Sequence, residues 1–352
     1  MPTTPHPTAT RSEVESTLRF ESNRSIPLFM PAIYEHKGHF IGKTPSQISR
    51  DPQLLAQAAL KEYEQLGPDA LAIGVDVYNL EAEAAGCEVT YYEGDDTSIP
   101  GIKPGNHVIK PGQDLTNYPV PNPLKDGRMP VNIEAARIVR KEIGDDYWIR
   151  GAISGPFSLA ISLLGAEDLF ISCLDDPEFV NGLMNYSAKI IKEFAKGYID
   201  AGADLIIFDS QASPELLSPT MYEEIVLPVT QDLIAFFKTQ GVNDVPLIIG
   251  GNTTPIIDTL IDTGANNLLC DFTGNWEEWS DACRGAKRAL RRNIAPQLIE
   301  NGTPDEIYAV AKQEIANAGD FPGFIMGTAV IPFATKTENI LAIKQACIDA
   351  GS

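Results

Sequence analysis

The chain has little positive charge for its length. Its 352 residues include 27 lysines and arginines against 48 aspartates and glutamates, so the formal net charge is −21. Nucleic acids and anionic membrane surfaces are bound by clustered lysine and arginine, and a balance this acidic opposes both kinds of contact. We therefore expect neither a nucleic acid nor a membrane among the partners of this protein.

Cysteine is scarce, and long apolar runs are missing. The five cysteines are scattered, odd in number and without a CxxC spacing, which argues against a disulfide framework or a closed zinc knuckle. No apolar run approaches the roughly 18 residues that a membrane span needs, and the N-terminal stretch MPTTPHPTATR has no apolar core of a secretion signal. These features predict a cytoplasmic protein.

Common catalytic motifs are also absent. The stretch 245–255, VPLIIGGNTTP, predicts a strand, a glycine turn and a helix start, but it lacks the GxxxxGK[ST] spacing and the lysine of a phosphate-binding loop. The GxSxG motif of serine hydrolases does not occur. Of the four histidines, His36 stands beside Glu35 at the end of a predicted strand, where it either takes part in chemistry or is held by structural hydrogen bonds.

What the chain has is a repeated alternation of apolar strands with amphipathic helices. Eight strand–helix units without a break in composition argue for an α/β fold, a single (β/α)8 TIM barrel over residues 25–352, preceded by an N-terminal tail and short helix at 1–24. Residues 94–128, rich in proline and glycine, predict a long irregular excursion after the second strand. The predicted strands are 26–34, 69–75, 147–153, 203–208, 245–250, 267–270, 289–294 and 323–327.

Polar residues follow most of the predicted strands. The carboxyl ends of the strands of such a barrel meet at one face, where active sites lie. Carboxylates buried there are costly without a partner or a task, so three strand-end aspartates suggest an acidic mouth that serves a proton, a cation or a metal, although helix capping is an alternative role for each one. The candidate site residues are Glu35, His36, Asp76, Tyr78, Asp209, Ser210, Asn252, Cys270, Asp271 and Asn293.

Several stretches together resemble the uroporphyrinogen decarboxylase superfamily, which also contains the cobamide-dependent methyltransferases. The resemblance covers nearly the whole chain from about residue 26 and implies the barrel fold. The stretches that carry it are DALAIGVDVYNLEAEAAGCEV, AGADLIIFDSQASPELLSPTMYEEIVLP, VPLIIGGNTTP, RRNIAPQLIENGTPDEI and GFIMGTAVIPFATKTENI.

The decarboxylases of this superfamily differ from the chain at several motif positions. Their MRQAGR motif, whose arginines hold the carboxylates of the substrate, is replaced by PAIYEH at 31–36. Asp76 matches the catalytic aspartate and Ser210 the serine, whereas Ser162 stands at the tyrosine position and Ala329 at the late histidine position. An acidic mouth without an arginine clamp repels a polycarboxylate, so porphyrin decarboxylation is disfavoured.

The methyltransferases that methylate a thiol differ as well. Their zinc site is written HxC in the turn after strand five, with a further cysteine late in the chain. The corresponding residues here are Ile248, Gly250 and Ala329, none of which is a zinc ligand. Because zinc in that branch makes the attacking thiolate, this difference argues against a thiol acceptor.

The remaining branch implies a methyltransferase that moves a methyl group from a methylated small molecule, such as a methoxylated aromatic, to Co(I) of a separate corrinoid protein. An acid or a metal must then activate the leaving oxygen. Two alternatives stay open: transfer from methyl-corrinoid to tetrahydrofolate or another acceptor, and a barrel without catalysis that binds a corrinoid protein. The chain is also compatible with a homodimer.

Roles for individual residues follow from this expectation. The corrinoid on the partner protein is the expected cofactor, and zinc is a possible second one. We expect catalytic roles for His36, Asp76, Asp209 and Asp271, substrate binding by Glu35, Tyr78, Ser210, Asn252 and Asn293, and zinc ligation by His36, Cys270 and Asp271.

Overall fold

Eight of the ten strands run parallel, and they form two four-stranded sheets. The computed structural model describes residues 8–22 and 24–351, so the predicted tail at 1–7 lies outside the described residues. The strands are β1 (Leu28–Ala32), β2 (Leu71–Ile73), β3 (Val89–Thr90), β4 (Gly101–Ile102), β5 (Ile149–Ser154), β6 (Asp204–Phe208), β7 (Leu247–Ile248), β8 (Asn267–Cys270), β9 (Ala289–Ile294) and β10 (Phe324–Val330). The sheet orders are β1-β10-β9-β8 and β2-β5-β6-β7, and the antiparallel pair β3-β4 stands apart.

Short contacts at two seams join the parallel sheets. At one seam, Pro246 forms a parallel bridge with Asn267, which connects β7 to β8. At the other, the backbone nitrogen of Asp69 donates to the carbonyl of Phe29 at 2.8 Å, and the Asp69 carboxylate accepts from the Phe29 nitrogen at 2.7 Å, which connects β1 to the start of β2. The eight strands therefore follow one another around a ring in chain order, and the predicted α/β fold with parallel sheets is confirmed.

Helices follow the strands around this ring. Among the described residues no single helix is long and apolar enough to span a membrane, although the bent helix pair Pro156–Leu164 and Ala166–Asp175 together has the necessary length and composition. The helices are α1 (Arg11–Leu18), α2 (Pro45–Ile48), α3 (Pro52–Leu66), α4 (Leu80–Ala84), α5 (Met129–Ile143), α6 (Pro156–Leu164), α7 (Ala166–Asp175), α8 (Pro177–Asp200), α9 (Pro219–Met221), α10 (Leu227–Thr239), α11 (Ile257–Asp262), α12 (Trp276–Ala286), α13 (Pro296–Asn301), α14 (Pro304–Ala318) and α15 (Thr337–Ala350).

Shorter helical turns complete the path of the chain. A 3-10 helix covers Glu35–Ile41 after β1, and further 3-10 turns cover Ser210–Ala212 and Thr254–Ile256. The helix predicted over 219–240 is interrupted by a π-helical turn at Tyr222–Val226 between α9 and α10. The excursion contains β4 and is otherwise irregular, as predicted.

Side chains along each strand alternate between the interior of the ring and the surrounding helices. On β8, Leu269 packs in the interior cluster, whereas Leu268 and Cys270 pack in the outer cluster with the helices. On β5, Ala152 faces inward and Ile153 outward. Since successive side chains on a strand point to opposite faces, two neighbours in sequence do not both reach the interior.

The helix α1 covers the amino ends of the strands. Its Thr10 cap forms a reciprocal capping box with Glu13, so the first turn is held locally. Its apolar side chains pack in one cluster with residues from the starts of five strands, namely Val14 and Leu18 against Leu28, Met30, Ala70, Trp148, Ala289 and Ile325. A short helix was predicted within 1–24, and α1 is this helix. It closes the end of the ring at which the strands begin.

The cap of α14 provides a stability test of the fold. The Thr303 hydroxyl accepts from the Glu306 nitrogen at 3.3 Å, and the Glu306 carboxylate accepts from the Thr303 nitrogen at 2.8 Å. We expect Thr303→Ala to lower the free energy of unfolding by about 1 kcal/mol, because the first turn loses its side-chain acceptor. Thr303→Ser keeps the hydroxyl and serves as the control in urea unfolding. Equal stability of the two variants would show that the cap contributes little.

Candidate active site

A cavity of about 130 Å³ opens at the carboxyl ends of the parallel strands. Two larger hollows, of about 480 and 360 Å³, lie at the opposite end around residues 24–27, and a third, of about 620 Å³, lies between residues 120–124 and α8. None of the predicted site residues lines any of the three. We call the first one the mouth cavity. Its lining consists of Pro31, Ala32, Tyr34, Tyr78, Arg150, Phe208, Ser210, Ile248, Gly250, Leu269, Asp271, Arg291, Asn293, Thr328, Ala329 and Val330.

One chain of hydrogen bonds crosses the cavity wall from β10 to the turn after β7. Arg291 donates from Nη2 to the Thr328 carbonyl at 2.9 Å and from Nε to Asn293 Oδ1 at 2.8 Å. Asn293 Nδ2 then donates to Asp271 Oδ1 at 3.1 Å, and the Gly251 nitrogen donates to Asp271 Oδ2 at 2.9 Å. Asp271 and Asn293 thus lie at the cavity as predicted, and both carboxylate oxygens of Asp271 already accept hydrogen bonds.

A second polar pair also lines the cavity. Tyr78 donates its phenolic hydrogen to Ser210 Oγ at 3.0 Å, and the Gly250 nitrogen donates to the same oxygen at 3.3 Å. Burial raises the pKa of Tyr78 to about 12, so this phenol stays protonated at neutral pH. Tyr78 and Ser210, two of the predicted substrate-binding residues, therefore line the cavity together.

Two arginines that were not predicted also line the mouth cavity. The charged residues in its lining are Arg150, Arg291 and Asp271, so the expected acidic mouth is wrong for this cavity. Each arginine lies in mid-strand, two positions before an inward-facing residue, Ala152 or Asn293. A charged residue at an inward position of an apolar strand was the signal that could have revealed them.

Asp76 lies outside this cavity in a buried ion-pair network. The guanidinium of Arg128 binds it with two hydrogen bonds of 2.8 and 2.7 Å, and Arg128 Nε donates to Glu83 at 2.6 Å. The predicted catalytic role of Asp76 therefore has no support in its position. Arg128 comes from the end of the excursion, and the pairing anchors that segment to the loop after β2.

Asp209 also faces away from the cavity. Phe208 lies in the inner cluster, so the next side chain points outward, where Asp209 Oδ1 accepts from the Ser158 nitrogen at 2.7 Å in the first turn of α6. Burial raises the pKa of Asp209 to about 6. A Cβ on Gly155 would lie 2.2 Å from the Asp209 Cβ, so glycine is required where this carboxylate crosses the chain. The structure places Asp209 as a cap of α6 and not as a residue of the cavity.

Glu35 and His36 lie in the 3-10 helix that follows β1, and neither lines the cavity. His36 Nδ1 is hydrogen-bonded to the carbonyls of Pro332 at 3.1 Å and Phe333 at 2.9 Å, and its ring stacks on His39. Burial lowers the pKa of His36 to about 4, so the ring is neutral near pH 7, and burial raises the pKa of Glu35 to about 7. His36 is therefore held by structural hydrogen bonds, which was one of the two roles considered for it from the sequence.

Asn252 is exposed and does not line the cavity either. Its side-chain oxygen accepts from the Thr254 nitrogen at 3.2 Å, and its backbone nitrogen donates to Glu215 at 3.5 Å. The residue thus stabilises the turn between β7 and α11, and it lies outside the lining of the mouth cavity.

The three predicted zinc ligands are not brought together. Cys270 faces outward, where its sulfur accepts from Arg292 Nη1 at 3.2 Å, whereas Asp271 faces the cavity and His36 is held at the loop after β10. Burial raises the pKa of Cys270 to about 11, so it remains a thiol. Among residues 8–22 and 24–351, no group of three or more His, Cys, Asp or Glu side chains could hold a metal ion.

The positions that bear zinc in the thiol-methylating branch do converge on the cavity. Ile248, Gly250 and Ala329 all line it, although they come from β7, the turn after it and β10. None of the three carries a nitrogen, oxygen or sulfur donor in its side chain. The residues present therefore do not fit a zinc ion at this place.

Comparison with known proteins identifies the class to which this fold and cavity belong. The family model of uroporphyrinogen decarboxylase (URO-D) matches residues 10–349. The chain belongs to this family, and the assignment made from the sequence is confirmed.

Relatives within the family include methyltransferases that span nearly the whole chain. The chain is 27% identical over 310 residues to the methylcobamide:CoM methyltransferase MtaA of Methanosarcina barkeri, with 87% of each protein covered. It is 29% identical over 265 residues to MtbA of Methanosarcina acetivorans, named as the same kind of enzyme, with 75% of each covered. A uroporphyrinogen decarboxylase of Geobacter metallireducens is 26% identical over 297 residues, covering 81% of this chain and 82% of that protein.

Solved structures agree on the fold. A methyltransferase from Methanosarcina mazei superposes with a TM-score of 0.86 at 24% identity, covering 97% of this chain and 99% of that one. A B12-independent methionine synthase from Shewanella sp. W3-18-1 gives a TM-score of 0.57 at 13% identity, covering 93% of this chain and 96% of that one. The described part of the chain therefore shares the fold of that methyltransferase.

Proposed function

We propose that this protein transfers a methyl group from the methyl-corrinoid of a partner protein to a small acceptor bound in the mouth cavity of a (β/α)8 barrel. The observation that carries the proposal is the similarity, over 87% of both chains, to a protein named as a methylcobamide:CoM methyltransferase. The mouth cavity supplies a site for the acceptor at the face of the barrel where active sites lie.

The direction of transfer is opposite to the main expectation from the sequence. That expectation was methyl transfer from a methoxylated aromatic to Co(I), whereas the relatives are named for transfer out of methylcobamide. The alternative considered, transfer from methyl-corrinoid to another acceptor, has better support.

The size of the cavity favours a small acceptor. A cavity of about 130 Å³ is well below the roughly 300–1,000 Å³ of pockets for drug-sized ligands. A tetrahydrofolate or a tetrapyrrole exceeds this space by a wide margin. The volume therefore argues against the tetrahydrofolate alternative and against decarboxylation of a porphyrinogen, even though the cavity does contain arginines.

The residues of this chain bind and orient the acceptor. The methyl-corrinoid supplies an electrophilic methyl group, and both electrons of the carbon–cobalt bond remain on cobalt when the acceptor forms its new bond to carbon. Ser210 and Asn293 both line the cavity and provide hydrogen bonds to the acceptor, and Phe208 and Leu269 exclude water. Since Ile248, Gly250 and Ala329 offer no metal ligand, none of these steps is assigned to zinc.

Loops at the mouth provide a surface for the corrinoid protein. Four of the ten large apolar side chains that are exposed among the described residues lie in loops or strand ends at this face. Exposed apolar residues grouped around a site are typical of a docking surface for a protein partner. They are Ile99, Leu216, Phe272 and Val330.

Isotope labelling tests both the activity and its direction. The protein is incubated with a corrinoid protein loaded with trideuteromethylcobalamin and with a panel of small thiols, amines and organic acids, and the products are analysed by mass spectrometry. We expect the label in a small acceptor, together with the optical spectrum of demethylated corrinoid. In the reverse arm, a labelled methoxy aromatic and a Co(I) corrinoid protein are expected to give no labelled corrinoid.

A variant that fills the cavity ties the activity to this site. A Cβ on Gly250 would lie 3.5 Å from Asp271 Oδ2 and 3.6 Å from Ser210 Oγ, so the backbone accepts a side chain that then occupies the cavity. We expect Gly250→Leu to lower the transfer rate at least about tenfold, because the acceptor loses its space. Gly285→Leu, at an exposed helical position with nothing within 4 Å, is the control. The proposal is contradicted if the isotope label is found in the corrinoid alone, or if Gly250→Leu and Gly285→Leu transfer the methyl group at equal rates.

A further inference from the structure

Arg150 is a buried cation without a partner. Its side chain is inward-facing on β5, the residue is 2% exposed, and its Nε has no hydrogen-bond partner. The guanidinium lies over the Trp148 ring at 5.2 Å, which is a cation–π contact. Within residues 8–22 and 24–351, no hydrogen bond or ion pair involves this guanidinium. Burying a guanidinium away from water costs free energy unless an anion pairs with it.

Arg291 is held in the same cavity by neutral acceptors. Its hydrogen bonds go to the Asn293 side chain and the Thr328 carbonyl, and neither carries a charge. A Cβ on Gly327 would lie 2.4 Å from Arg291 Nε and 2.6 Å from its Cζ, so glycine at this position of β10 makes room for the guanidinium. The backbone thus positions Arg291 but leaves its charge unpaired.

The charges around the two arginines do not cancel them. Burial first and then the charge of Arg150 lower the pKa of Arg291 to about 10, so the two cations are close enough to repel each other and both remain charged at neutral pH. The acidic groups that act on Arg150 from a distance are engaged elsewhere, Glu62 by Lys37 and Asp204 by Arg11. Asp271, whose charge acts on Arg291, brings one negative charge to the cavity against the two positive ones. In a chain with a net charge of −21, the interior of this cavity is cationic.

We propose that Arg150 and Arg291 form an anion-binding subsite in the depth of the mouth cavity, which holds the oxyanion group of a small organic acid. Arg150 is the second residue of β5 and Arg291 the third residue of β9, whereas Ser210 and Asp271 follow strand ends, so the anion lies deep and the other end of the molecule lies at the mouth. Carboxylates and sulfonates share the oxygen geometry that a guanidinium binds. The proposal rests on the proposed function in taking this acid to be the methyl acceptor.

Binding of minimal anions tests the subsite without any corrinoid. Propionate and ethanesulfonate are compared with the neutral propanamide at constant ionic strength, by thermal unfolding and by calorimetric titration. We expect both anions to raise the midpoint of unfolding in a concentration-dependent way and propanamide to leave it unchanged. The anion with the lower dissociation constant distinguishes a carboxylate from a sulfonate headgroup.

Neutral variants of the two arginines assign the effect to this pair. Arg150→Met and Arg291→Met are expected to weaken anion binding at least about tenfold, because each removes a charge-assisted contact. Arg150→Met is also expected to keep or raise the midpoint without ligand, since the native arginine has no partner to lose. Arg137→Met, which removes an exposed arginine of α5, controls for net charge. A purely structural role of Arg150 would instead lower the midpoint and leave anion binding intact.

The outcomes separate this inference from the proposed function. Anion binding that is lost in both Met variants supports the subsite even if no methyl transfer occurs. Methyl transfer with equal efficiency to charged and neutral acceptors, together with no anion-induced shift, overturns the subsite and leaves the proposed function standing. The subsite is also overturned if propanamide raises the midpoint of unfolding as much as the anions do, or if the anions still raise it in both Met variants.

Discussion

Replacing Arg128 with leucine is expected to lower the free energy of unfolding by about 3–5 kcal/mol. The Arg128 side chain is 5% exposed and the Asp76 side chain 1%, so the pair is removed from water on both sides. Without the guanidinium, the buried Asp76 carboxylate and the partly buried Glu83 both lose the hydrogen bonds that Arg128 donates. Removing one partner of a buried pair leaves a charge that neither water nor protein compensates.

A double-mutant cycle in urea unfolding measures this coupling. Asp76→Asn combined with Arg128→Leu removes both charges, and we expect the double variant to be more stable than Arg128→Leu alone by about 1–3 kcal/mol. Anion binding by the mouth cavity is expected to persist in the double variant at low temperature, because neither residue lines it. If Arg128→Leu lowers the free energy of unfolding by less than about 1 kcal/mol, the ion pair is not the stabilising contact that we expect.

Replacing Glu81 with glutamine is expected to change the pH dependence of stability. Glu81 is fully buried, accepts from the Ser154 nitrogen at 2.7 Å, and is 3.0 Å from the Ser154 hydroxyl. Burial raises the pKa of Glu81 from 4.5 to about 7. Between these values the folded state binds a proton that the unfolded state has released, so the contribution of Glu81 is fully present below pH 4.5 and is lost as the pH rises through 7.

Urea unfolding at pH 4.5, 6 and 8 measures the effect. The stability of the natural protein relative to Glu81→Gln is expected to fall by up to about 3 kcal/mol across this range, because the glutamine has no charge to desolvate. Glu142→Gln, at an exposed position of α5, is the control for the change from glutamate to glutamine. A flat difference for Glu81→Gln would show that this carboxyl is not protonated in the folded state.

Much of the fold was predictable because its signals are local. The predicted strands 267–270 and 289–294 and the predicted helices 304–318 and 337–350 agree with β8, β9, α14 and α15. Apolar periodicity and caps such as Thr303 act within a few residues, so the sequence carries them directly. The strand predicted over 245–250 is observed as Leu247–Ile248, since pairing with the neighbouring strands decides where a ladder ends.

The site was less predictable because its geometry depends on register. Of the residues selected at strand ends, Ser210, Asp271 and Asn293 line the cavity, and so does Tyr78 from the loop after β2. Cys270 was wrong because a shift of one residue along a strand reverses the direction of the side chain. The pairing of Asp76 with Arg128 could not be predicted from the sequence either, because Arg128 lies 52 residues away in a segment without periodicity.

The position of α1 has a consequence for the order in which ligands bind. Because this helix closes the amino end of the ring, small molecules reach Arg150 and Arg291 from the mouth, the face at which the exposed apolar side chains proposed to bind the corrinoid protein also lie. A docked partner would then cover the entrance. Steady-state kinetics should accordingly follow a compulsory order, in which the small acceptor enters before the corrinoid protein docks and the methylated product leaves after the partner has departed.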